Sequence, residues 1–323
     1  MFVKVGMALL CAALHGAAVL AQGVLVEEVE KGTPADGPLR PGDVVLSWAP
    51  VDPARAATAG GPLDSPFALA SVEVAWAQRM PVVLRGRRAG QPFESTVTAG
   101  EWKLRARPAF TGDDEAAYAR GETLQRSEAA GAGLEAWREL AETLTTRGED
   151  TAACWLLLRR AEAAAASEDA FAEAADACAA TGDPRTEAFA HEAQAAAAQK
   201  RRRPGEAETE WRAAVAQWKS IEPRSLEVVA ALNKLAFLVW GRGRLPEAKE
   251  LYTQALALGR ELAPGSLEVA VSLNYLGPIA IQRGEPGARA HRGGAGHPRA
   301  PRPAGHEHRA HAGQHGHHRR AGG

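Results

Sequence analysis

The chain has 323 residues, 46% of them hydrophobic and 24% charged, with a formal net charge of −1. This length allows one to three domains, and the near-zero net charge argues against a polyanionic partner for the chain as a whole. Only 6% of the residues are aromatic, and the many Ala, Glu, Arg and Leu residues favour closely packed helices.

Residues 1–21 have the pattern of a secretory signal. Lys4 supplies a positive charge, residues 5–20 are apolar, and Ala21 offers a small residue for cleavage. An uncleaved anchor helix is the alternative, but the apolar run is shorter than a membrane span needs. We therefore expect a periplasmic or secreted protein whose mature chain has no transmembrane span.

Residues 23–108 contain Val-rich runs separated by Gly and Pro, a pattern that predicts strands and turns. The predicted elements are a strand at 23–29, a turn at 32–35 that enters a short helix, a turn and buried strand at 39–48, a helix at 65–79, and a hairpin of strands at 81–85 and 93–97.

This region resembles bacterial protease-associated PDZ domains, in which a GSPA-like turn precedes L-x-P-G-D and a hydrophobic strand. The matching residues are Gly32, Thr33, Pro34, Ala35, Leu39, Pro41, Gly42 and Asp43. Gly42 suits a tight turn, and Asp43 can accept backbone N–H bonds there. The resemblance implies a small α+β PDZ-like domain over residues 23–108. The family's peptide-binding loop and strand would precede Gly23, where this sequence has the signal. We therefore expect the domain to be incomplete at its N-terminal edge. Its role is open between partner binding and a structural cap on the helices that follow.

Residues 113–203 continue as a series of helices separated by Gly, Asp and Pro. The predicted helices are 114–129, 134–147, 151–165, 169–180 and 185–200. Cys154 and Cys178 fall on two of them and could pair only if those helices bring them together. We expect two small buried residues and no metal site, because no CxxC or other ligand spacing is present.

A tandem repeat with a period of 41 residues occupies residues 204–284. Residues 225–228 return at 266–269, and small or aromatic positions recur with the same offset. Apolar residues at i, i+3 and i+4 predict two helices per copy. The predicted helices are 205–220, 226–242, 245–262 and 266–283, with Pro278 inside the last of them.

The repeat resembles the tetratricopeptide (TPR) family, of the kind found in kinesin light chains and many bacterial proteins. The matching residues are Leu235, Ala236, Gly243, Ala248, Tyr252 and Ala255, at the family's internal spacings. The resemblance implies a mainly α fold, in which a solenoid of helical hairpins follows the small α+β domain. Residues 113–203 would then be degenerate TPR-like helices.

In this family the first helices of the hairpins line a groove that binds other proteins. Asn233 and Asn274 fall at a groove position where the family often uses Asn, and a carboxamide can both donate to and accept from an extended peptide. Phe237 and Trp240 would line the same groove. The alternative is that both Asn residues only stabilise contacts between neighbouring repeats.

Residues 285–323 contain only Gly, Ala, Arg, Pro, His, Glu and Gln. We expect a disordered tail. Three interpretations are open: a basic tail that binds anionic surfaces or nucleic acid, a His-rich metal-binding tract, or a coding frame that has slipped. The last is preferred, because synonymous codons for residues 292–321 can be read one base later as a further TPR-like helix pair.

No G-x-S-x-G, Walker, HExxH or G-x-G-x-x-G motif is present, so we expect neither an enzyme nor a cofactor. The leading hypothesis is a scaffold of the bacterial cell envelope that binds peptides or domains through Asn233, Phe237, Trp240 and Asn274, with no nucleic-acid partner. One alternative is a truncated regulatory portion of a CHAT (caspase-like) peptidase, since similar arrays often precede such domains. A weaker alternative is metal or polyanion binding by the tail.

Overall fold

The computed structural model describes residues 23–56, 59–164 and 168–283. The predicted signal at 1–21 and the predicted disordered tail at 285–323 lie outside the described residues. In the described part, the strands come first and a stack of α-helices follows. The predicted fold class is confirmed: the chain is mainly α, with a solenoid of helical hairpins preceded by a small α+β domain.

The small domain is built on an antiparallel sheet with the strand order β5-β4-β2-β1-β6, and β3 pairs with β2 at the side. Its strands are β1 (Val24–Val29), β2 (Val44–Pro50), β3 (Gly61–Pro62), β4 (Val82–Arg88), β5 (Gln91–Val97) and β6 (Leu104–Pro108). The predicted β4–β5 hairpin is confirmed. Ala89 and Gly90 at its tip both have positive φ, of 48° and 79°, as a two-residue hairpin turn requires.

Two helical segments accompany this sheet. The short α1 spans Pro53–Ala56, and α2 spans Pro66–Val72 and continues as a π-helical segment, Glu73–Ala77. Ser65 caps α2 by accepting a hydrogen bond from the Ala68 backbone N–H at 3.2 Å. Leu69 and Val72 of α2 pack with buried strand residues such as Val24, so the helix closes the core of the domain.

The predicted turn before β2 is confirmed, and it is tied to β4. Gly42 has a φ of +90°, which L side chains rarely adopt. Asp43 accepts a hydrogen bond from the Arg40 backbone N–H at 2.8 Å. Both Asp43 carboxylate oxygens also accept from the Arg88 guanidinium, at 2.7 Å each. The bidentate pair is expected to fix the turn geometry more firmly than a single hydrogen bond.

Two parts of this domain differ from the sequence-based predictions. The short helix expected after residues 32–35 is absent, because Gly37 has a φ of +99° and Pro38 follows it, so the chain forms successive turns instead. No element is predicted for residues 104–108, yet they form β6, which pairs with β1 along the side expected to be open.

The helices of the solenoid are α3 (Gly112–Gln125), α4 (Ala130–Thr146), α5 (Asp150–Ala163), α6 (Glu168–Ala180), α7 (Pro184–Lys200), α8 (Pro204–Ile221), α9 (Leu226–Gly241), α10 (Leu245–Leu262) and α11 (Leu267–Gln282). Each predicted helix is present, with its ends displaced by at most a few residues. Successive helices pack as the hairpins α3–α4, α5–α6, α7–α8 and α9–α10, and α11 packs on α9 and α10.

Small residues allow these helices to approach closely. Ala236 of α9 and Ala248 and Ala255 of α10 are fully buried, and so is Tyr252, which lies on the same face of α10. Gly243 ends α9 with a φ of +77°, the left-handed conformation expected after a helix C-terminus. The 41-residue period therefore places small side chains at the helix crossings.

Cys154 of α5 and Cys178 of α6 form a disulfide, with Cα atoms 4.8 Å apart. The expectation of two unpaired buried residues is therefore wrong. The α5–α6 hairpin brings the two positions together, a long-range consequence of the fold that residue spacing does not reveal.

Reduction of this disulfide is expected to lower the free energy of unfolding by about 3 kcal/mol, because the cross-link closes a loop with a sequence separation of 24 residues. Urea unfolding with and without a reductant measures the change. A Cys154→Ser/Cys178→Ser variant serves as the control and should not respond to reductant. Identical unfolding midpoints for the oxidised and reduced wild type would contradict the prediction.

Candidate functional site

The first helices of successive hairpins, α5, α7 and α9, form a surface that we call the first-helix face. The small domain covers part of it. Phe67 of α2 stacks on Phe189 of α7, with ring centroids 5.3 Å apart. Val74 of the π-helical segment packs into the core formed by α7 to α10, and β6 contacts both α2 and α5. The surface predicted to bind partners is thus shared with the chain's own N-terminal domain.

A cavity of about 510 Å³, which we call the interdomain cavity, remains between the two parts. α2 and β6 form one wall, and α5 and α7 form the other. Trp155, Phe189 and Trp211 line it, with Lys234 from α9. The other charged side chains around it are Glu73, Arg105, Arg159, Glu162 and Glu192. Its volume lies within the roughly 300–1,000 Å³ common for ligand sites, but its lining is more highly charged than that of most such sites.

One glutamate in each of the three helices α7, α9 and α11 is desolvated. Burial raises the pKa of Glu192 in α7, Glu227 in α9 and Glu268 in α11. Glu192 accepts a hydrogen bond from Trp218 Nε1 at 2.7 Å, which opposes that shift in pKa without cancelling it. Each of the three therefore holds its proton more strongly than a glutamate in water.

Asn233 lies between α9 and α11 and is only 3% exposed. Its Nδ2 donates to the backbone oxygen of Glu268 at 3.0 Å and to the Glu268 carboxylate at 2.6 Å. Its Oδ1 accepts from the Ser272 hydroxyl at 2.7 Å. The carboxamide is thus engaged in contacts between neighbouring repeats, which is the alternative role considered for it. A direct role of Asn233 in partner binding stays a prediction.

Asn274 stands one repeat later in α11, and its side chain is exposed. Among the described residues no helix packs on α11 in the way that α11 packs on α9. The two equivalent Asn residues therefore have different environments, and Asn274 is accessible to a partner.

Phe237 and Trp240 belong to an aromatic cluster at the C-terminal end of α9. Phe237 is 39% exposed, and its ring lies 5.4 Å from that of Tyr275 and 6.0 Å from that of Trp240. Tyr275 in turn stacks on the buried Tyr252 at 5.3 Å. Phe237 stands one repeat after Ala196, a lining residue of the interdomain cavity, so both lie on the first-helix face.

Sequence reasoning missed the residues through which the small domain meets the solenoid. Phe67, Val74 and Phe189 lie in different elements, and no motif marks them. Alignment of α7 on α9 with the 41-residue offset could have found part of the site, because it places Glu192 at the position of Asn233.

Residues 186–261 match the family model of the tetratricopeptide repeat, so the chain contains such repeats. Among solved structures, the chain is similar to a protein of the kinesin light chain kind from Podosopora anserina with nearly identical TPR-like repeats. The sequence identity is 17%, the match covers 57% of this chain and 90% of that one, and the TM-score is 0.40. It is also similar to BtubC (BKLC) from P. vanneervenii, with 18% identity, 60% and 94% coverage and a TM-score of 0.36. No curated protein matches the chain.

Over the residues that the structure describes, no helix combines the length and the apolar character needed to cross a membrane. The same residues contain no group of three or more His, Cys, Asp or Glu side chains that could hold a metal ion.

Asn233→Ala is expected to lower the free energy of unfolding by about 1–3 kcal/mol, because it removes a buried carboxamide and leaves its partners unsatisfied. Asn274→Ala is the matched control from the next repeat, and its effect should stay within about 0.5 kcal/mol because the side chain is exposed. Chemical denaturation of both variants measures the difference. Equal destabilisation by the two changes would refute the packing role of Asn233.

Proposed function

We propose that the chain is a non-catalytic protein-interaction scaffold of the bacterial cell envelope, which binds partner peptides or domains on its first-helix face. TPR repeats generally mediate protein–protein interaction, and residues 186–261 match the model of that repeat. The N-terminal domain is in this proposal PDZ-like, an assignment that its Gly42-Asp43 turn and the position of α2 beside the edge strand β6 support.

The partly exposed aromatic cluster of α9 and α11 supports the proposal most directly. Phe237, Trp240 and Tyr275 lie within 6.0 Å of one another, measured between ring centroids. Aromatic residues contribute much of the binding energy at protein interfaces, because they bury a large area for a small loss of side-chain entropy. Asn274 lies close by in sequence on α11 and is exposed, so it adds a polar group to the same region.

The disulfide between Cys154 and Cys178 supports the envelope location. Disulfides persist in the periplasm and outside the cell, and they are rare where thiols are kept reduced. Together with the signal predicted at residues 1–21, the cross-link favours a periplasmic or secreted protein.

Benzoylphenylalanine placed at Phe237 is expected to cross-link specific partner proteins in the cells that make the protein, because this side chain is exposed in the aromatic cluster. The same photoreactive residue at Ala257, an exposed position of α10, serves as the matched control. Adducts are separated and identified by mass spectrometry. The proposal predicts adducts at least tenfold more abundant from position 237. Equal adducts from both positions, or none from position 237, would contradict it.

Cys154 and Cys178 are fully buried, so the cells are quenched and the protein is denatured before a thiol reagent is added. Both cysteines should then resist alkylation when the chain carries residues 1–21, because an oxidising compartment keeps the disulfide closed. Deletion of residues 2–21 should leave the protein in the cytoplasm with both thiols reduced and open to alkylation, and mass shifts report the two states. Reactive thiols in the full chain would argue against the envelope location.

A further inference from the structure

α11 repeats α9 one period later, but its surroundings differ. Leu267 and Leu273 of α11 are 43% and 45% exposed, whereas the equivalent Leu226 and Leu232 of α9 are 0% and 3% exposed. Apolar side chains that are exposed together, and not singly, indicate an interaction site. We call this side of the helix the α11 face, which is formed by Leu267, Ala270, Leu273, Leu276, Gly277 and Ala280. All six equivalent positions in α9 are buried.

α10 covers the equivalent face of α9. A Cβ atom placed on Gly259 of α10 would lie 3.4 Å from Val229 Cγ1 of α9, so the backbone of α10 lies directly against that helix. Small side chains let two helices approach this closely, and a larger side chain fills the gap between them. The buried residues of α10 have this pattern, and they are Ala248, Tyr252, Ala255 and Gly259.

The crossing point of the α11 face is accessible. Gly277 stands at the position of Ala236, which is fully buried in α9. Apart from the backbone of its own helix, a Cβ atom placed on Gly277 would meet no atom of the described residues within 4 Å. The crossing point therefore has space for the backbone of a further helix.

The sequence that follows α11 does not repeat the sequence of α10. One period after Tyr252 stands Gly293, and residues 285–323 include no Leu, Ile, Val, Phe, Trp, Tyr or Met. A helix needs an apolar stripe to cover another helix. These residues therefore offer no such stripe to the α11 face, and we look for its cover in another protein.

We propose that the α11 face binds an amphipathic helix of a partner protein, which carries small residues and one aromatic residue in the pattern of α10. The inference rests on the proposed protein-interaction function. It adds a second surface at the end of the described solenoid, distinct from the aromatic cluster around Phe237. Docking continues the stack of helices by one, so that Leu273 and Gly277 become buried as their equivalents are in α9.

A stapled peptide copy of α10, with residues 244–263 acetylated and amidated at its ends, is the probe. The staple joins positions 253 and 257, whose side chains are exposed in α10, and it removes most of the cost of forming a short helix. Fluorescence anisotropy with the full chain should give a Kd below about 100 μM. Absence of binding at that concentration would overturn the proposal.

Two variants of the chain locate the site. Gly277→Leu should weaken binding about tenfold or more, because the added side chain occupies the crossing point. It should not destabilise the chain, because a Cβ atom there meets no other described element. Leu273→Lys places a charge on the same face and should act likewise. Ala257→Leu, on the exposed side of α10, is the matched control and should leave the Kd unchanged.

Circular dichroism melting checks that each variant folds. Equal affinity of the wild type, Gly277→Leu and Leu273→Lys for the peptide would exclude the α11 face as its binding site.

A displayed library tests the chemistry of the bound helix. It keeps the sequence of α10 and randomises the positions of Ala248, Tyr252, Ala255 and Gly259. Selection on the full chain should enrich small residues at 248 and 255 and an aromatic residue at 252. The glycine at 259 should be relaxed, because Ala270 of α11 stands where the larger Val229 meets Gly259. Enrichment of large apolar residues at all four positions would indicate unspecific adhesion and contradict the proposal.

A second copy of the chain is the competing occupant, and sedimentation equilibrium distinguishes it. We expect a monomer. A wild-type dimer that Gly277→Leu converts to a monomer would assign the α11 face to a second copy and refute the inference.

The outcomes also separate this site from the proposed function. If the peptide does not bind while benzoylphenylalanine at position 237 still yields adducts, the protein-interaction function stands and the inference about α11 is wrong. If Phe237→Ala releases the peptide and Gly277→Leu does not, the peptide binds at the aromatic cluster and the inference again fails.

Discussion

The close crossing of neighbouring helices is the constraint on which the rest of the structure depends. Ala236, Ala248 and Ala255 are fully buried where α9 and α10 meet, and Tyr252 is fully buried beside them. A single hairpin cannot bury its apolar face, so stability comes from stacking one hairpin on the next. A larger side chain at these positions would force the backbones apart. The 41-residue period therefore reflects a steric requirement that each copy has to meet at the same points.

Stacking also requires that buried polar groups find partners, and equivalent positions meet this requirement differently. Asn233 bonds to Glu268 and Ser272 of the following first helix. Glu192, one repeat earlier, accepts a hydrogen bond from Trp218 of the second helix of its own hairpin. An Asn that recurs from repeat to repeat can serve contacts between repeats or contacts with a partner. The exposed fraction of its side chain distinguishes the two: Asn233 is buried between repeats, whereas Asn274 is accessible.

The sequence was most informative where structure depends on neighbouring residues. The helix ends follow from Gly, Pro and capping residues, and the β4–β5 hairpin and the turn at Gly42-Asp43 follow from turn chemistry. The features that were missed depend on residues far apart in the chain. The pairing of β6 with β1, the Cys154–Cys178 disulfide and the stacking of Phe67 on Phe189 have no local signal. Part of the predicted groove was for the same reason found covered by the small domain.

A cavity persists between the two parts because they meet at a few points and not along a continuous face. Close contact is made where Phe67 and Val74 meet the solenoid, and residues of β6 line the space that is left. An open strand edge would ordinarily invite unspecific pairing with other chains. Its contacts with α2 and α5 restrict access to that edge, so the packing that joins the two parts also protects the sheet from pairing with other chains.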